Sequence, residues 1–125
     1  LHDTNFQNPA GFDASNHYSS AFDLAMLAKE AIKDPVLSKV VSTKETYVSS
    51  IDKSKIHNLK NVNQLLGIDG VIGIKTGYTN LAGENLVGLV EKDGKRILTV
   101  VLNSNDRFGE TKALIDWVYN NFVWE

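Results

Sequence analysis

At 125 residues, 42% of them hydrophobic and 22% charged, the chain has the size and composition of one globular domain able to bury a core of its own. Thirteen basic against fifteen acidic residues leave a formal charge of −2, which carries no nucleic-acid footprint. The absence of cysteine excludes a disulfide framework, a thiol nucleophile and a thiolate metal site, and the apolar runs are far too short to span a bilayer.

No signal peptide opens the chain, and its first residue is Leu1, so the natural start of translation is expected elsewhere. Residues 1–18 are polar and punctuated by Asn5, Asn8-Pro9, Gly11 and Asn16, the pattern of a loop with turns. Ser20-Ala21-Phe22-Asp23 reads as a capping box, with Ser20 as N-cap and Asp23 reaching back. The helix it opens is predicted to run to about Lys33, with Phe22, Ala25, Met26, Ala28 and Ile32 on its buried side, and Asp34-Pro35 stops it. A shorter helix is predicted over 36–41, β-prone sequence over 46–48, a short extended piece over 55–59 and a compact turn over 61–67.

Val71, Ile72 and Ile74 lead as a β-branched run into Lys75-Thr76-Gly77, with Gly83 and a second apolar run from Leu86 to follow. The pattern is a strand carrying a cation and a hydroxyl, then a turn, then a neighbouring strand. A glycine there lets another backbone approach, so such an edge could take up a peptide as an added strand while Lys75 meets a carboxylate. Asp93-Gly94 joins the runs 86–91 and 96–102 as a hairpin. The second run is apolar on both faces and is therefore expected to be covered on both sides by helices. A last helix over 108–122 places Thr111, Leu114, Ile115, Val118 and Phe122 on one stripe, with Trp117 and Trp124 as packing residues. Helix, strands, helix, with the clearest pair antiparallel, make the fold class α+β.

Several stretches resemble one family. Asn5-Phe6-Gln7-Asn8-Pro9-Ala10-Gly11-Phe12 and His17-Tyr18-Ser19-Ser20-Ala21-Phe22-Asp23 are similar to motifs of serine-type D-alanyl-D-alanine carboxypeptidases, the low-molecular-mass penicillin-binding proteins. Asn61-Val62-Asn63-Gln64-Leu65-Leu66, Gly73-Ile74-Lys75-Thr76-Gly77-Tyr78-Thr79 and the stretch from Arg107 to Ile115 resemble later segments of the same family. The resemblance covers nearly the whole chain in order. It implies a penicillin-binding-protein/β-lactamase-like (transpeptidase) fold, an antiparallel sheet flanked by helices, with residues 1–125 forming the C-terminal portion of the catalytic domain. The family's Ser-x-x-Lys and Ser-x-Asn motifs precede the Asn-Pro-Ala-Gly-like segment, so the nucleophile is expected upstream of Leu1. Ser50-Ile51-Asp52-Lys53 fits Ser-x-x-Lys by letters, but lies in β-prone or loop sequence rather than opening a buried helix.

By resemblance, the intact enzyme opens the terminal D-Ala-D-Ala bond of a peptidoglycan stem peptide through an acyl-serine, and penicillin acylates the same serine. Lys75 would place positive charge beside the substrate carboxylate, Thr76 would hydrogen-bond there, and the backbone N–H after Gly77, that of Tyr78, would be one oxyanion donor. Arg107 would help hold the terminal carboxylate. No cofactor and no metal are implied, and His2, His17 and His57 show no metal spacing. Each role has a plainer rival: Lys75 as an exposed strand-end lysine, Gly77 as a bulge residue, Arg107 paired with Glu110 or Asp106, His17 as a structural hydrogen-bonder. The expected partners are a D-Ala-D-Ala peptide or β-lactam and the N-terminal portion of the same domain, with no nucleic acid and a membrane only through segments outside these residues. The expected location is the exported, outer face of a bacterial cytoplasmic membrane. Two other readings stay open: a non-catalytic peptide-binding module that keeps the Lys-Thr-Gly edge, and a β-lactamase.

Overall fold

The computed structural model describes residues 1–124. In chain order the elements are α1 (Ala21–Ala31), α2 (Pro35–Val41), β1 (Glu45–Ser49), β2 (Ile56–Lys60), β3 (Val71–Thr79), β4 (Gly83–Lys92), β5 (Lys95–Ser104) and α3 (Arg107–Asn121). β3, β4 and β5 form an antiparallel sheet in that order, while β1 and β2 pair antiparallel as a separate ribbon. The α+β class and the helix-flanked antiparallel sheet hold.

The central strand of the sheet is the apolar one. Leu86, Leu89 and Val90 of β4 are buried, and Val90 meets Val71 of β3 and Ile115 of α3 in the innermost cluster. Leu65, Ile97 and Tyr119 close around it, and the Tyr119 hydroxyl donates to Lys95 O at 3.0 Å. Helices α1 and α3 both pack on β5.

Local chemistry sets the element ends. Ser20 caps α1 by accepting from Asp23 N at 3.2 Å, and Asp34 caps α2 by accepting from Val36 N and Leu37 N. Asp106 caps α3 by accepting from Gly109 N at 2.9 Å. Only half of the expected capping box forms. The Asp23 carboxylate turns away from Ser20 and instead accepts from Asp3 N at 2.8 Å and Thr4 Oγ1 at 2.7 Å, tying the N-terminal segment to α1. That segment is further closed by the Asn5–Tyr18 bridge.

Two expected buried stripes are corrected. On α1, Ala28 and Asp23 are buried, whereas Phe22 is 72% exposed and Met26 is exposed too. On α3, Thr111 and Ile115 are buried, whereas Leu114, Trp117 and Phe122 are exposed; Trp117 packs edge-on against Phe122 rather than into the core. A 3.6-residue period identifies a helical face but does not say which flank of it meets a neighbour.

Candidate functional site

Strand β3 is the outer strand of its sheet, paired with β4 along one edge and with no other strand among the described residues. Half of its backbone groups therefore point away from the sheet. Lys75, Thr76, Gly77 and Tyr78 lie on this strand, opposite Val87, Leu86, Asn85 and Glu84 of β4. Alternation puts Lys75 and Thr76 on opposite faces: Lys75 is exposed and Thr76 is 8% exposed. The Lys75 ammonium donates to Thr76 O and has no carboxylate partner among the described residues.

All four residues line one cavity of about 870 Å³, with Arg107 on a further wall. The size suits a small-molecule or peptide-end site. The N-terminal loop supplies another wall through Pro9, Gly11, His17 and Tyr18. That loop is fastened to the sheet by Asp13, whose carboxylate accepts from Thr79 Oγ1 at 2.6 Å.

Arg107 opens α3 and is held in three ways. Its backbone N–H donates to Glu84 Oε2 at 3.1 Å, its Nη1 donates to Gly77 O at 2.9 Å, and its guanidinium lies 4.9 Å from the Phe108 ring centroid. It forms no ion pair with Glu110 or Asp106 among the described residues. Its Nε is buried with no hydrogen-bond partner. A buried donor on a permanently charged fork is costly unless an acceptor arrives.

Of the remaining candidates, Gly77 and His17 line the cavity and Ser50 does not. Gly77 sits outside both irregularities of the sheet, which fall at Val71/Gly73 and Glu84/Leu86. A Cβ built on Gly77 would meet only Asn85 Cβ at 3.9 Å, so no other backbone of this chain needs the space. Ser50 lies at the tip of the β1–β2 ribbon and does not line the cavity. Its hydroxyl is engaged with Asp52, whose carboxyl is lowered to about 2 chiefly by the Ser50 and Ser54 hydroxyls. His17 is fixed by its ring: Nδ1 accepts from Gln7 N at 2.9 Å and the ring lies 5.6 Å from that of Phe6. Asp13 and Thr79 escaped notice in the sequence because a clasp across 66 residues leaves no local pattern.

The sequence profile of the D-alanyl-D-alanine carboxypeptidase family matches residues 1–106. The chain belongs to that family. It is 33% identical over 126 residues to D-alanyl-D-alanine carboxypeptidase DacF of Bacillus subtilis, covering 98% of this chain and 32% of the relative. It is 35% identical over 130 residues to DacA of Haemophilus influenzae, covering 98% and 31%. The Streptomyces K15 DD-transpeptidase superimposes with a TM-score of 0.89 at 30% identity, over 96% of this chain and 49% of that one. Penicillin-binding protein D2 of Listeria monocytogenes, solved in a cefotaxime-bound form, gives 0.75 at 31%, over 90% and 47%. The chain therefore spans about a third of the length of these curated carboxypeptidases and about half of the solved chains.

Proposed function

We propose that this chain is the substrate-clamping part of a serine-type D-Ala-D-Ala carboxypeptidase active site, with the nucleophilic serine supplied by a preceding portion of the same catalytic domain. The observation that carries the proposal is the shared cavity. It joins the free edge of β3 with Lys75, whose ammonium has no carboxylate partner among the described residues, Thr76, and Arg107, whose Nε is buried without an acceptor. A stem peptide laid along β3 would gain strand-like hydrogen bonds, while its terminal carboxylate would answer Lys75, Thr76 and Arg107.

The chemistry divides accordingly. The serine oxygen attacks the carbonyl between the two D-alanines, the C–N bond breaks, and D-alanine leaves as the protonated amine. Water then hydrolyses the ester and restores the serine. Lys75 stabilises negative charge through both steps, and the Tyr78 N–H, with the serine's own N–H, holds the oxyanion. A β-lactam enters the same cycle at the acylation step. The bacterial carboxypeptidase relatives support an exported enzyme facing the cell wall.

A non-catalytic peptide-binding module is the second reading. It draws support from Ser50, whose Ser-x-x-Lys lettering lies on an exposed ribbon with its hydroxyl already engaged. Denaturing intact-mass measurement after incubation with penicillin separates the cases. A penicilloyl adduct on a serine outside these 125 residues, with this chain unmodified, is the expected result. An adduct on this chain overturns the proposal, and saturable binding of a D-Ala-D-Ala peptide with no adduct anywhere favours the binding module.

A further inference from the structure

We propose that a second cavity, between the base of the β1–β2 ribbon and the turn that follows it, is a binding site for a phosphate group. This cavity of about 350 Å³ is lined by Lys44, Lys60, Asn61, Asn63, Gln64 and Leu66, and shares no residue with the cavity on β3. No acidic residue lines it. Lys44 and Lys60 have no ion-pair partner among the described residues, and the nearby Glu45 carboxylate accepts instead from Asn58 Nδ2 at 2.7 Å.

The second observation is Asn63. It is 6% exposed, and its Nδ2 is buried with no hydrogen-bond partner. Oxygen and nitrogen of an amide are easily exchanged, but here the assignment is fixed by chemistry. Asn63 Oδ1 accepts from Leu65 N at 3.1 Å, so a flipped amide would set an N–H₂ against an N–H. The unsatisfied group is therefore a donor, and it requires an acceptor. Asn61 does not supply one: its Oδ1 accepts from Asn63 N at 2.9 Å and its Nδ2 donates to Thr43 O.

Lys44 is drawn over the turn by the absence of a side chain at Gly67. A Cβ built there would lie 2.2 Å from the Lys44 ammonium. Two cations and a neutral buried donor, with no competing carboxylate in the wall, select an oxyanion. Lysine meets a phosphate as a point charge, without needing the planar fork of arginine. A free phosphate and a phosphodiester headgroup share this chemistry.

The test follows the Asn63 side-chain amide by NMR in the protein as the cell makes it. Inorganic phosphate, dimethyl phosphate and sodium chloride are titrated at constant ionic strength, and phosphatidylglycerol vesicles are added separately. A saturating Asn63 shift with phosphate or the diester is expected, weakened at least tenfold in Lys44→Met/Lys60→Met and unchanged in Lys53→Met/Lys55→Met, whose lysines lie on the same ribbon outside the cavity. Vesicle binding lost in the first variant pair assigns a headgroup as the source; saturation by free phosphate without vesicle binding assigns a soluble one. Linear shifts matched by chloride, or equal weakening in both variant pairs, overturn the proposal.

Discussion

Arg107 is the residue on which the candidate site turns. Its guanidinium is anchored by Gly77 O and the Phe108 ring, yet keeps Nε buried and unsatisfied. A hydrogen bond to a charged partner contributes about 1.5–3 kcal/mol. Arg107→Gln in the intact enzyme is therefore expected to lower kcat/KM for D-Ala-D-Ala peptides by about ten- to a hundredfold. A peptide amidated at its terminal carboxyl should be indifferent to the change, and equal loss on both substrates would reduce Arg107 to a structural role. Ser50→Ala is expected to leave penicillin acylation of the intact enzyme unaltered, as read by intact mass. Asp23 gives a pH prediction. The Thr4 hydroxyl, ahead of the Asp3 N–H, holds its carboxyl below the ordinary value of 3.8. A depressed folded value means that Asp23 contributes stability above that ordinary value and loses it as pH falls through the folded one. The protection factor of the Asp3 amide, its exchange rate corrected for the intrinsic pH dependence, should therefore hold through neutral pH and fall only under strong acid; a fall already near pH 6 would point to a different group.

At the scale of elements, the site depends on β3 being an edge and on the loop being held against it. Thr79 links the two by donating to Asp13 while accepting from Ala82 N at 3.0 Å in the β3–β4 turn. Thr79→Val removes both bonds without changing shape much, at about 1–3 kcal/mol. Weaker peptide binding with an unshifted β3–β4 ladder in NMR spectra is the expected outcome. The Lys-Thr-Gly strand, the Asp93-Gly94 hairpin, the Ser20 cap, the stop at Asp34-Pro35 and the last helix were legible because each rests on neighbours in sequence, whereas the Asp34 cap of α2 went unread. Asp23 was misread for the converse reason. The Ser20 spacing predicts a reciprocal cap, but Thr4 and Asp3, about twenty residues away, compete for the same carboxylate and win. Likewise the separate pairing of β1 with β2 could not be read from two short β-prone pieces lacking a strong turn signal. The cavity is legible only in part. Resemblance nominated Lys75, Thr76 and Arg107, whereas the unpaired state of Arg107 Nε is a property of packing that no spacing encodes.

The molecule as a whole is under-packed for its mass. Its accessible surface is 8886 Å² at 13.8 kDa, where a folded monomer of that size exposes about 6,600 Å². The excess, about 2,300 Å², exceeds the roughly 800 Å² that each partner buries in a standard interface. It also includes large apolar side chains on several elements. Phe22 of α1 is 72% exposed, Tyr47 of β1 69%, Ile51 at the ribbon tip 105% and Val36 of α2 68%. Single exposed hydrophobics are ordinary, but an excess of surface this large marks a chain made to be covered. In the proposed enzyme the serine-bearing portion of the catalytic domain covers them. These 125 residues expressed alone are accordingly expected to bind hydrophobic dyes, to associate as concentration rises and to melt over a broad range. Co-expression with the serine-bearing portion should give one complex with a single cooperative transition. Within that complex, Ile115→Ala is expected to lower stability by about 2–5 kcal/mol, because Ile115 joins α3 to Val71 and Val90 in the innermost cluster. A sharp, monomeric melt of the isolated chain, unchanged by the serine-bearing portion, would mean that the exposed faces need no cover. The proposal of a shared active site would then lose its structural basis, and the peptide-binding module would be the better account.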